Sequence, residues 1–314
     1  MGNHRGNIVL VGVLDQPGST NLYMAKAFEK AGFNVIPVNY RTIMEKYGPN
    51  TLNHLLFKLS KDNPKLMLYS KFNGIDSMVI GRCSQNDIVK SWFWFMDGIN
   101  TLSKVPECIQ HAQLATFSSF TGLGVLNYVK KKIGTAEGMF HIMEGIDQVV
   151  YRPTIVIPEF QCDIAFIGSS NQERLHYLKV LVDAGYNVKA YGQGFNEEIH
   201  GHQFNMVCSG AKAMLALSAE YDTQEYFSDR VFRYGACGSF VFHKHAPGLD
   251  KYFTHQQDLV YFSDEESLLQ VMDYYIKQDK AEERQAISKN ILDKVVNTHT
   301  WDNVIKQICS IAKI

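Results

Sequence analysis

The sequence predicts an α/β protein with two domains, each built on a parallel sheet. The chain has 314 residues, a comfortable length for two domains of ordinary size. Short β-branched runs alternate with segments of helical spacing in both halves, which is the pattern of βαβ units. Each half begins with an apolar strand that leads into a loop containing Gly and Ser, Asn7–Leu14 in the first and Cys162–Gly168 in the second.

In the first half, β-branched and aromatic runs predict strands, and spaced apolar residues predict helices. Ser19 or Thr20 caps the first helix and Gly32 ends it, while a second helix over 51–61 stops before Pro64. A third helix is predicted over 122–133. The predicted strands cover 7–14, 34–38, 66–69, 78–80, 89–96 and 114–118.

The segment from Glu144 to Pro153 is expected to connect the first domain to the second. We therefore place the N-terminal domain at residues 1–152 and the C-terminal domain at residues 153–314. Ligands of open parallel sheets bind at the carboxyl ends of the strands, so we expect the site in a cleft between two facing domains. The second half has predicted strands at 162–168, 186–192, 213–219 and 240–243, and predicted helices at 172–184, 228–236, 264–277, 280–297 and 300–312.

Composition excludes several classes of protein. Lys plus Arg is 31 and Asp plus Glu is 32, so no overall basic excess indicates a nucleic-acid partner, although a local basic face remains open. The six cysteines form no CxxC pair, which favours buried thiols in a reducing compartment. The first apolar run is too short for a signal segment or a membrane span, so we expect a cytoplasmic protein.

Two loops could hold a ligand, and each has a simpler explanation. The first loop, Gly12–Thr20, matches neither the dinucleotide nor the phosphate-loop pattern, which argues against a nicotinamide-dependent oxidoreductase. Its amides could cradle an anion or a sugar hydroxyl, or it could be an ordinary strand-to-helix turn. The second loop, from Gly168 and Ser169 to Asn171, leaves the same two alternatives open.

The most informative segment runs from Tyr226 to Gly238. Ser228 or Asp229 can cap a helix whose first turn carries Arg230. A cation in the first turn opposes the helix dipole, and a bound diphosphate would remove that conflict. A surface arginine on a fraying turn is the alternative, and the residues alone leave both open.

The stretch Phe227–Val241 resembles the pattern "fSDRvfEalAcGgfvl" of the CgeB-like glycosyltransferases, which have the GT-B fold. The resemblance covers about residues 150–310, and the N-terminal half matches only loosely, through Trp92–Asp97 and Glu144–Pro153. Further matches follow in order at Cys162–Gly168, Ser209–Leu215, Pro247–Phe253, Leu259–Leu268 and Asn297–Trp301.

The resemblance implies two Rossmann-like domains that face a cleft, with C-terminal helices that pack back toward the N-terminal domain; the last helix, about 300–314, is expected to cross over. It also implies an acceptor-side N-terminal domain and a C-terminal domain that binds a nucleotide-diphosphate sugar such as a UDP-sugar. Transfer of a hexosyl or pentosyl group would need no metal and no cofactor. The implied donor residues are Ser228, Asp229 and Arg230 at the diphosphate, Gly238 and Ser239 under the nucleotide, and the loop of Gly168 and Ser169.

Arg233 departs from the family pattern. Similar enzymes have a glutamate there, and it holds the ribose hydroxyls. An arginine cannot accept those hydrogen bonds. Either Glu225, eight residues earlier, compensates for the change or the nucleotide is bound in another way.

Inverting sugar transfer needs a general base for the acceptor hydroxyl. Asp97 is the first candidate because it ends a buried apolar strand, and a cap before Gly98 is the alternative. Asp15 on the first loop is the second candidate. His141 and His299 are better explained as structural, and a retaining enzyme would need no such base.

The acceptor and the assembly stay open at this level. A small molecule, a surface precursor and a hydroxymethylated base in phage DNA are all candidate acceptors, and nothing indicates the oligomeric state. A basic rim would suit DNA, although solvated helix faces explain the same lysines. A non-catalytic nucleotide-sugar-binding protein is the alternative function, and the Arg233 departure supports it. The lysines in question are Lys58, Lys61, Lys65, Lys71 and Lys130 to Lys132.

Overall fold

The structure, a computed structural model, describes residues 4–70, 73–83 and 89–314. Lys71 of the predicted basic rim lies outside these residues. The strands are β1 Asn7–Gly12, β2 Asn34–Asn39, β3 Leu66–Tyr69, β4 Lys90–Phe95, β5 Phe117–Phe120, β6 Met139–His141, β7 Cys162–Ile167, β8 Val188–Tyr191, β9 Ala211–Ala216, β10 Val241–Lys244 and β11 Val260–Phe262.

Helices separate most of these strands, as the alternating pattern predicts. Short 3₁₀ turns lie at Pro158–Phe160, Leu249–Lys251 and Gln278–Lys280. The α-helices are α1 Thr20–Lys30, α2 Tyr40–Ser60, α3 Ser77–Cys83, α4 Ile99–Leu102, α5 Glu107–Leu114, α6 Leu123–Ile133, α7 Gln172–Asp183, α8 Gly201–Gly210, α9 Arg230–Ala236, α10 Glu265–Tyr275, α11 Ala281–Thr298 and α12 Trp301–Ala312.

The chain forms two compact units. The first unit contains Met1–Gly145, Thr223–Tyr226 and Trp301–Ile314, and the second contains Ile146–Asp222 and Phe227–Thr300. The second unit begins at residue 146 rather than at the expected 153. Ile146 explains the difference because its amide donates to the carbonyl of His299, and both residues belong to the second unit.

The first unit is built on a parallel sheet in the order β2-β1-β3-β4-β5-β6. Apolar residues of β4 are buried on both faces, as expected for a sheet covered by helices on both sides. The Trp92 indole donates to Ser119 Oγ at 2.8 Å and the Trp94 indole to Thr121 Oγ1 at 3.4 Å. These aromatic residues are therefore core residues, and their polar atoms are satisfied by the neighbouring strand.

Two distant segments of the chain complete the first unit. Helix α12 packs beside α1, and Trp301 contacts Trp94 edge-on at 5.7 Å between ring centroids. This is the return of the last helix that the resemblance implies. Residues Thr223–Tyr226 also fold with this unit, where the amide of Gly124 donates to the carbonyl of Gln224 at 2.9 Å.

The second unit has a parallel sheet in the order β11-β10-β9-β7-β8. Its first strand, β7, lies between β8 and β9, so successive connections wind in opposite directions from β7 along the sheet. The strand order reverses between β7 and β9, which is where open sheets of this kind bind ligands. The core is apolar and includes Phe166, Leu215 and Phe242.

Two predictions in the first half differ from the structure. The predicted strand at 78–80 is wrong, because Met78–Ile80 lies within helix α3, which packs on α5. A run of three residues is too short for the spacing of its apolar residues to distinguish a strand from a helix. The predicted helix at 51–61 is the second part of α2, which extends back to Tyr40 across a break at Gly48 and Pro49.

Candidate functional site

A pocket of about 250 Å³ lies at the carboxyl ends of β7 and β8, within the second unit. Five of the predicted donor residues meet there: Gly168, Ser169, Asp229, Arg230 and Arg233. The other lining residues are Tyr151, Ile167, Gly192, Gln193, Glu198, Ile199, His200 and Phe204. The pocket therefore combines the loop after β7, the loop after β8 and the start of α9.

Arg230 is fixed by backbone carbonyls at the point where the strand order reverses. Its Nε donates to the carbonyl of Ile167, at the end of β7, and its Nη1 to the carbonyl of Leu217, just beyond β9, both at 2.6 Å. Nη1 also donates to Ser228 Oγ at 3.1 Å. The guanidinium thus bridges the ends of two neighbouring strands instead of extending into solvent.

The charge of Arg230 is not balanced by any carboxylate of the described residues. Its partners are carbonyl and hydroxyl oxygens and the ring of Phe166, whose centroid lies 5.0 Å from Cζ. A half-buried guanidinium that no carboxylate neutralises favours an anionic ligand. The anion would form charge-assisted hydrogen bonds with the guanidinium and would offset the cost of burying its charge.

Gly168 allows the guanidinium to approach the loop. A Cβ atom at this position would lie 2.3 Å from Arg230 Nη2. The neighbouring turn is equally tight, because a Cβ at Gly192 would lie 2.4 Å from the carbonyl oxygen of Gly168. Glycine at both positions therefore brings the loops after β7 and β8 together at the pocket floor.

Arg174 is a site residue that the sequence reasoning missed. It is 7% exposed and lies in the first turn of α7, which Asn171 caps through its side chain. Its Nη1 donates to the carbonyl of Ser169 at 2.8 Å and to Ser169 Oγ at 3.1 Å. Arg174 therefore holds the loop on one side while Arg230 holds it on the other, and both lie over the ring of Phe166.

A second polar group lies one helical turn beyond Arg230. Asp229 and Arg233 form an ion pair, and the Arg233 guanidinium lies 5.3 Å from the ring centroid of Tyr151. Glu198 and His200 line the same pocket and lie 3.8 Å apart. The pocket thus contains both a cationic group around Arg230 and a paired, nearly neutral group around Arg233.

The remaining donor candidates lie elsewhere. Ser228 does not line the pocket, although its hydroxyl accepts from Arg230. Gly238 ends α9 with φ +71°, and Ser239 is buried with its hydroxyl donating to the carbonyl of Cys208; neither lines the pocket. Glu225 belongs to the first unit, where its carboxylate is buried 3.7 Å from His141 Nδ1.

The two candidate bases follow different strands of the first unit. Asp97 is half-buried between β4 and α4, and Asp15 is exposed on the loop after β1. Because β3 separates their strands, the strands lie roughly 10 Å apart, and the two residues are separate candidates. A hydrogen bond from Thr42 and another from Asn39 lower the pKa of Asp15 below its ordinary value.

The two histidine candidates have a simple structural account. The His141 Nε2 lies 2.9 Å from the carbonyl of Thr121, and His299 stacks on Phe232 at 4.4 Å. Burial lowers the pKa of His299 to about 4. Across residues 4–70, 73–83 and 89–314, no three His, Cys, Asp or Glu side chains are arranged to hold a metal ion.

Comparison with known structures identifies the fold. HepE from Anabaena, in complex with UDP-glucose, superposes with a TM-score of 0.72 at 12% identity, covering 98% of this chain and 99% of that chain. Sucrose-phosphate synthase from Thermosynechococcus elongatus gives 0.76 at 12% identity, covering 98% of both. A glycosyltransferase from Rickettsia africae gives 0.72 at 12% identity, covering 99% of this chain and 98% of that chain.

Sequence comparison adds a family match over the second half. No curated protein matches the chain in sequence. Residues 161–310 match the sequence model of the family described as glycosyl transferase-like, and this range contains every pocket residue named above except Tyr151. The chain therefore has the GT-B fold, and its residues 161–310 match the glycosyl transferase-like family.

Proposed function

We propose that the protein is a glycosyltransferase that moves a hexosyl or pentosyl group from a UDP-sugar to an acceptor hydroxyl. Arg230 is the observation that carries this proposal. Its guanidinium is fixed at the pocket floor by two carbonyls and has no carboxylate partner in the described part of the chain. A nucleotide diphosphate supplies the negative charge that such a group would bind.

The comparisons support the same donor class. The family model that matches residues 161–310 describes glycosyl transferases, and the similar Anabaena HepE structure contains UDP-glucose. The ordered motifs shared with CgeB-like enzymes support membership of that narrower group. No helix of the described residues is long and apolar enough to cross a membrane, and a cytoplasmic location stays a prediction.

The proposed chemistry needs no metal and no cofactor. The acceptor oxygen bonds to the anomeric carbon of the sugar as the bond from that carbon to the diphosphate oxygen breaks. Arg230 would stabilise the charge that develops on the departing diphosphate, and Asp97, or else Asp15, would take the acceptor proton. In a retaining enzyme a phosphate oxygen of the departing group would take that proton instead.

The acceptor is proposed only as a hydroxyl compound. A hydroxymethylated base in DNA gains no support from Lys61 and Lys132, because each ammonium lies near an aromatic ring four residues earlier in the chain. The Lys61 ammonium lies 4.4 Å from the ring centroid of Phe57, and that of Lys132 lies 5.4 Å from the ring centroid of Tyr128. Solvated helix faces explain these contacts.

The second candidate function is nucleotide-sugar binding without transfer. Arg233 favours it, because a guanidinium replaces the carboxylate that the resemblance implies at this position. Turnover separates the two functions, since both require the donor to bind.

A thermal-shift screen with UDP-, GDP-, ADP- and CMP-linked sugars tests the donor assignment. We expect UDP-sugars to raise the melting temperature, because a ligand of the native state stabilises it by mass action. Arg230→Ala should abolish that rise. If no nucleotide sugar changes the melting temperature, the proposed function is wrong. Subsequent assays with labelled donor should show transfer; binding without transfer to small acceptors or to hydroxymethylated DNA would favour the second function.

A further inference from the structure

We propose that Tyr221 is a positioning residue for the diphosphate, because its hydroxyl fixes the turn on which the guanidinium of Arg230 is anchored. This inference rests on the proposed function, since it concerns how the same pocket holds its anion. Tyr221 does not line the pocket, and it lies between two of the matched stretches, Ser209–Leu215 and Phe227–Val241. It would therefore act on the ligand through other residues.

The carbonyl of Leu217 is a shared acceptor for two arginines. It accepts from Arg230 Nη1 at 2.6 Å and from Arg174 Nη2 at 3.4 Å. A hydrogen bond fixes a guanidinium only as well as the acceptor itself is fixed, because the bond weakens steeply when its angle or length departs from the optimum. The position of this carbonyl therefore determines where both positive charges lie.

The turn that carries this carbonyl lies beyond the sheet. Strand β9 ends at Ala216, and its pairing with β10 ends at the same residue. The amide of Ser218 donates instead to the Tyr221 hydroxyl at 2.8 Å. Ser218 is 0% exposed, so without that hydroxyl its amide would lose its acceptor in a place that water does not reach. Tyr221 thus supplies the acceptor that holds the backbone of the turn.

The side chain of Ser218 ties the turn to the start of α9. Its hydroxyl accepts from the amide of Ser228 at 3.0 Å. The Ser228 hydroxyl in turn accepts from Arg230 Nη1 at 3.1 Å and from the Arg230 amide at 3.3 Å. A displacement of Ser218 would therefore move both groups that accept from Nη1, the Leu217 carbonyl and the Ser228 hydroxyl.

The ring of Tyr221 is itself held in place. The ammonium of Lys244 lies 4.3 Å from the ring centroid and forms an ion pair with Glu173, which lies in the first turn of α7. Burial raises the pKa of Tyr221, so the phenol stays uncharged and leaves the charge of Arg230 for a ligand. The Tyr221 hydroxyl is therefore a fixed and neutral acceptor.

Calorimetry with UDP tests the inference, because Tyr221→Phe removes the hydroxyl and keeps the ring. We expect UDP to bind about fivefold more weakly to this variant, which corresponds to one hydrogen bond of ordinary strength. Ser218→Ala removes the bond to Ser228 and should weaken binding to a similar extent, so it serves as a second test if Tyr221→Phe folds poorly. The control Tyr261→Phe removes another hydroxyl of the same unit, one that donates to the carbonyl of Phe253, and should bind UDP as tightly as wild type.

A double-mutant cycle separates the positioning of Arg230 from a general structural effect. Arg230→Lys keeps a positive charge but cannot bridge two carbonyls as the planar guanidinium does. In that background, Tyr221→Phe, or Ser218→Ala in its place, should change UDP affinity by less than about twofold.

Three results would overturn the inference alone. They are an unchanged UDP affinity in Tyr221→Phe, or in Ser218→Ala where only that variant folds; a loss of the same size in the Arg230→Lys background; and an equal loss in Tyr261→Phe. A wild-type protein that binds no UDP overturns the proposed UDP-sugar donor, and the inference with it.

Discussion

The two units use the same kind of parallel sheet but present different chemistry at its carboxyl edge. In the second unit, Arg174 and Arg230 donate hydrogen bonds to backbone carbonyls at the end of β7 and in the loop that follows it. In the first unit, the corresponding loop after β1 carries Asp15, which accepts a hydrogen bond from Thr42 at 2.8 Å. One edge therefore offers positive charge, and the other offers a carboxylate that accepts side-chain hydrogen bonds.

Under the proposed function, this difference would let one topology serve the two partners of a transfer reaction. Strand order fixes where a ligand can lie, while the side chains that follow each strand fix what the ligand can be. A cationic edge suits a diphosphate, and a carboxylate edge suits a hydroxyl that must lose a proton. The contrast is open to test from both sides.

The largest expected effect comes from the first unit. Asp97→Asn should lower kcat for sugar transfer by about 10² to 10⁴, the usual contribution of a general base, and leave UDP affinity unchanged. Asp15→Asn is the matched variant at the other candidate position. The measurement is turnover with labelled donor, with calorimetry for binding. Full activity in both variants would show that neither Asp97 nor Asp15 is the general base, and it would favour a retaining reaction.

The second prediction concerns the cationic edge. Arg230→Ala should weaken UDP binding by about 100-fold, because charge-assisted hydrogen bonds to the diphosphate are lost. Arg152→Ala, which changes an exposed arginine of the same unit, is the control and should bind normally. Unchanged affinity in Arg230→Ala, measured by calorimetry, would contradict the assignment of the phosphates to this edge.

The third prediction concerns a buried histidine of the second unit. His243 in β10 is buried, and burial lowers its pKa to about 4. The folded state thus disfavours the proton that the unfolded chain takes up below its pKa of about 6.5. The stability that comes from neutral His243 is therefore fully present above that pH and is lost as the pH falls toward 4.

In numbers, His243 should contribute a loss of roughly 2 kcal/mol in the free energy of unfolding between pH 7.5 and pH 5. Urea unfolding at the two pH values measures the loss. His243→Gln cannot titrate and should lose about that much less than the wild type. The control is His200→Gln, because the side chain of His200 is exposed, and this variant should lose as much stability as the wild type does. An equal loss in His243→Gln would show that His243 is not responsible.

The smallest effect tests the carboxylate edge directly. Thr42→Val removes the main cause of the lowered pKa of Asp15, so the pKa of that carboxyl should rise toward its ordinary value. Carboxyl-selective NMR titration measures it. Thr51→Val, where the hydroxyl donates to the carbonyl of Tyr47 within α2, should leave the pKa of Asp15 unaffected. A pKa that does not move would mean that Thr42 does not tune this group.

Much of the fold follows from local patterns in the sequence. The alternating runs predict both sheets, and a cation in the first turn of a helix singles out Arg230 as a candidate ligand for an anion. Arg174 carries the same signal, since it lies in the first turn of α7. Tyr151 and Phe204 could not be predicted for the pocket, because they are far from Arg230 in the chain and only the packing of the second unit brings them to it.

The position of Thr223–Tyr226 in the fold bears on any effort to recombine this protein with others of the same fold. These four residues fold with the first unit, yet the chain on both sides of them belongs to the second, and Thr223, Glu225 and Tyr226 are buried. A gene fragment for the second unit alone would carry them without their packing partners. Exchange of ligand specificity by replacing the second unit as one contiguous segment would therefore also require redesign of these four residues. Substitution of single pocket side chains avoids that requirement.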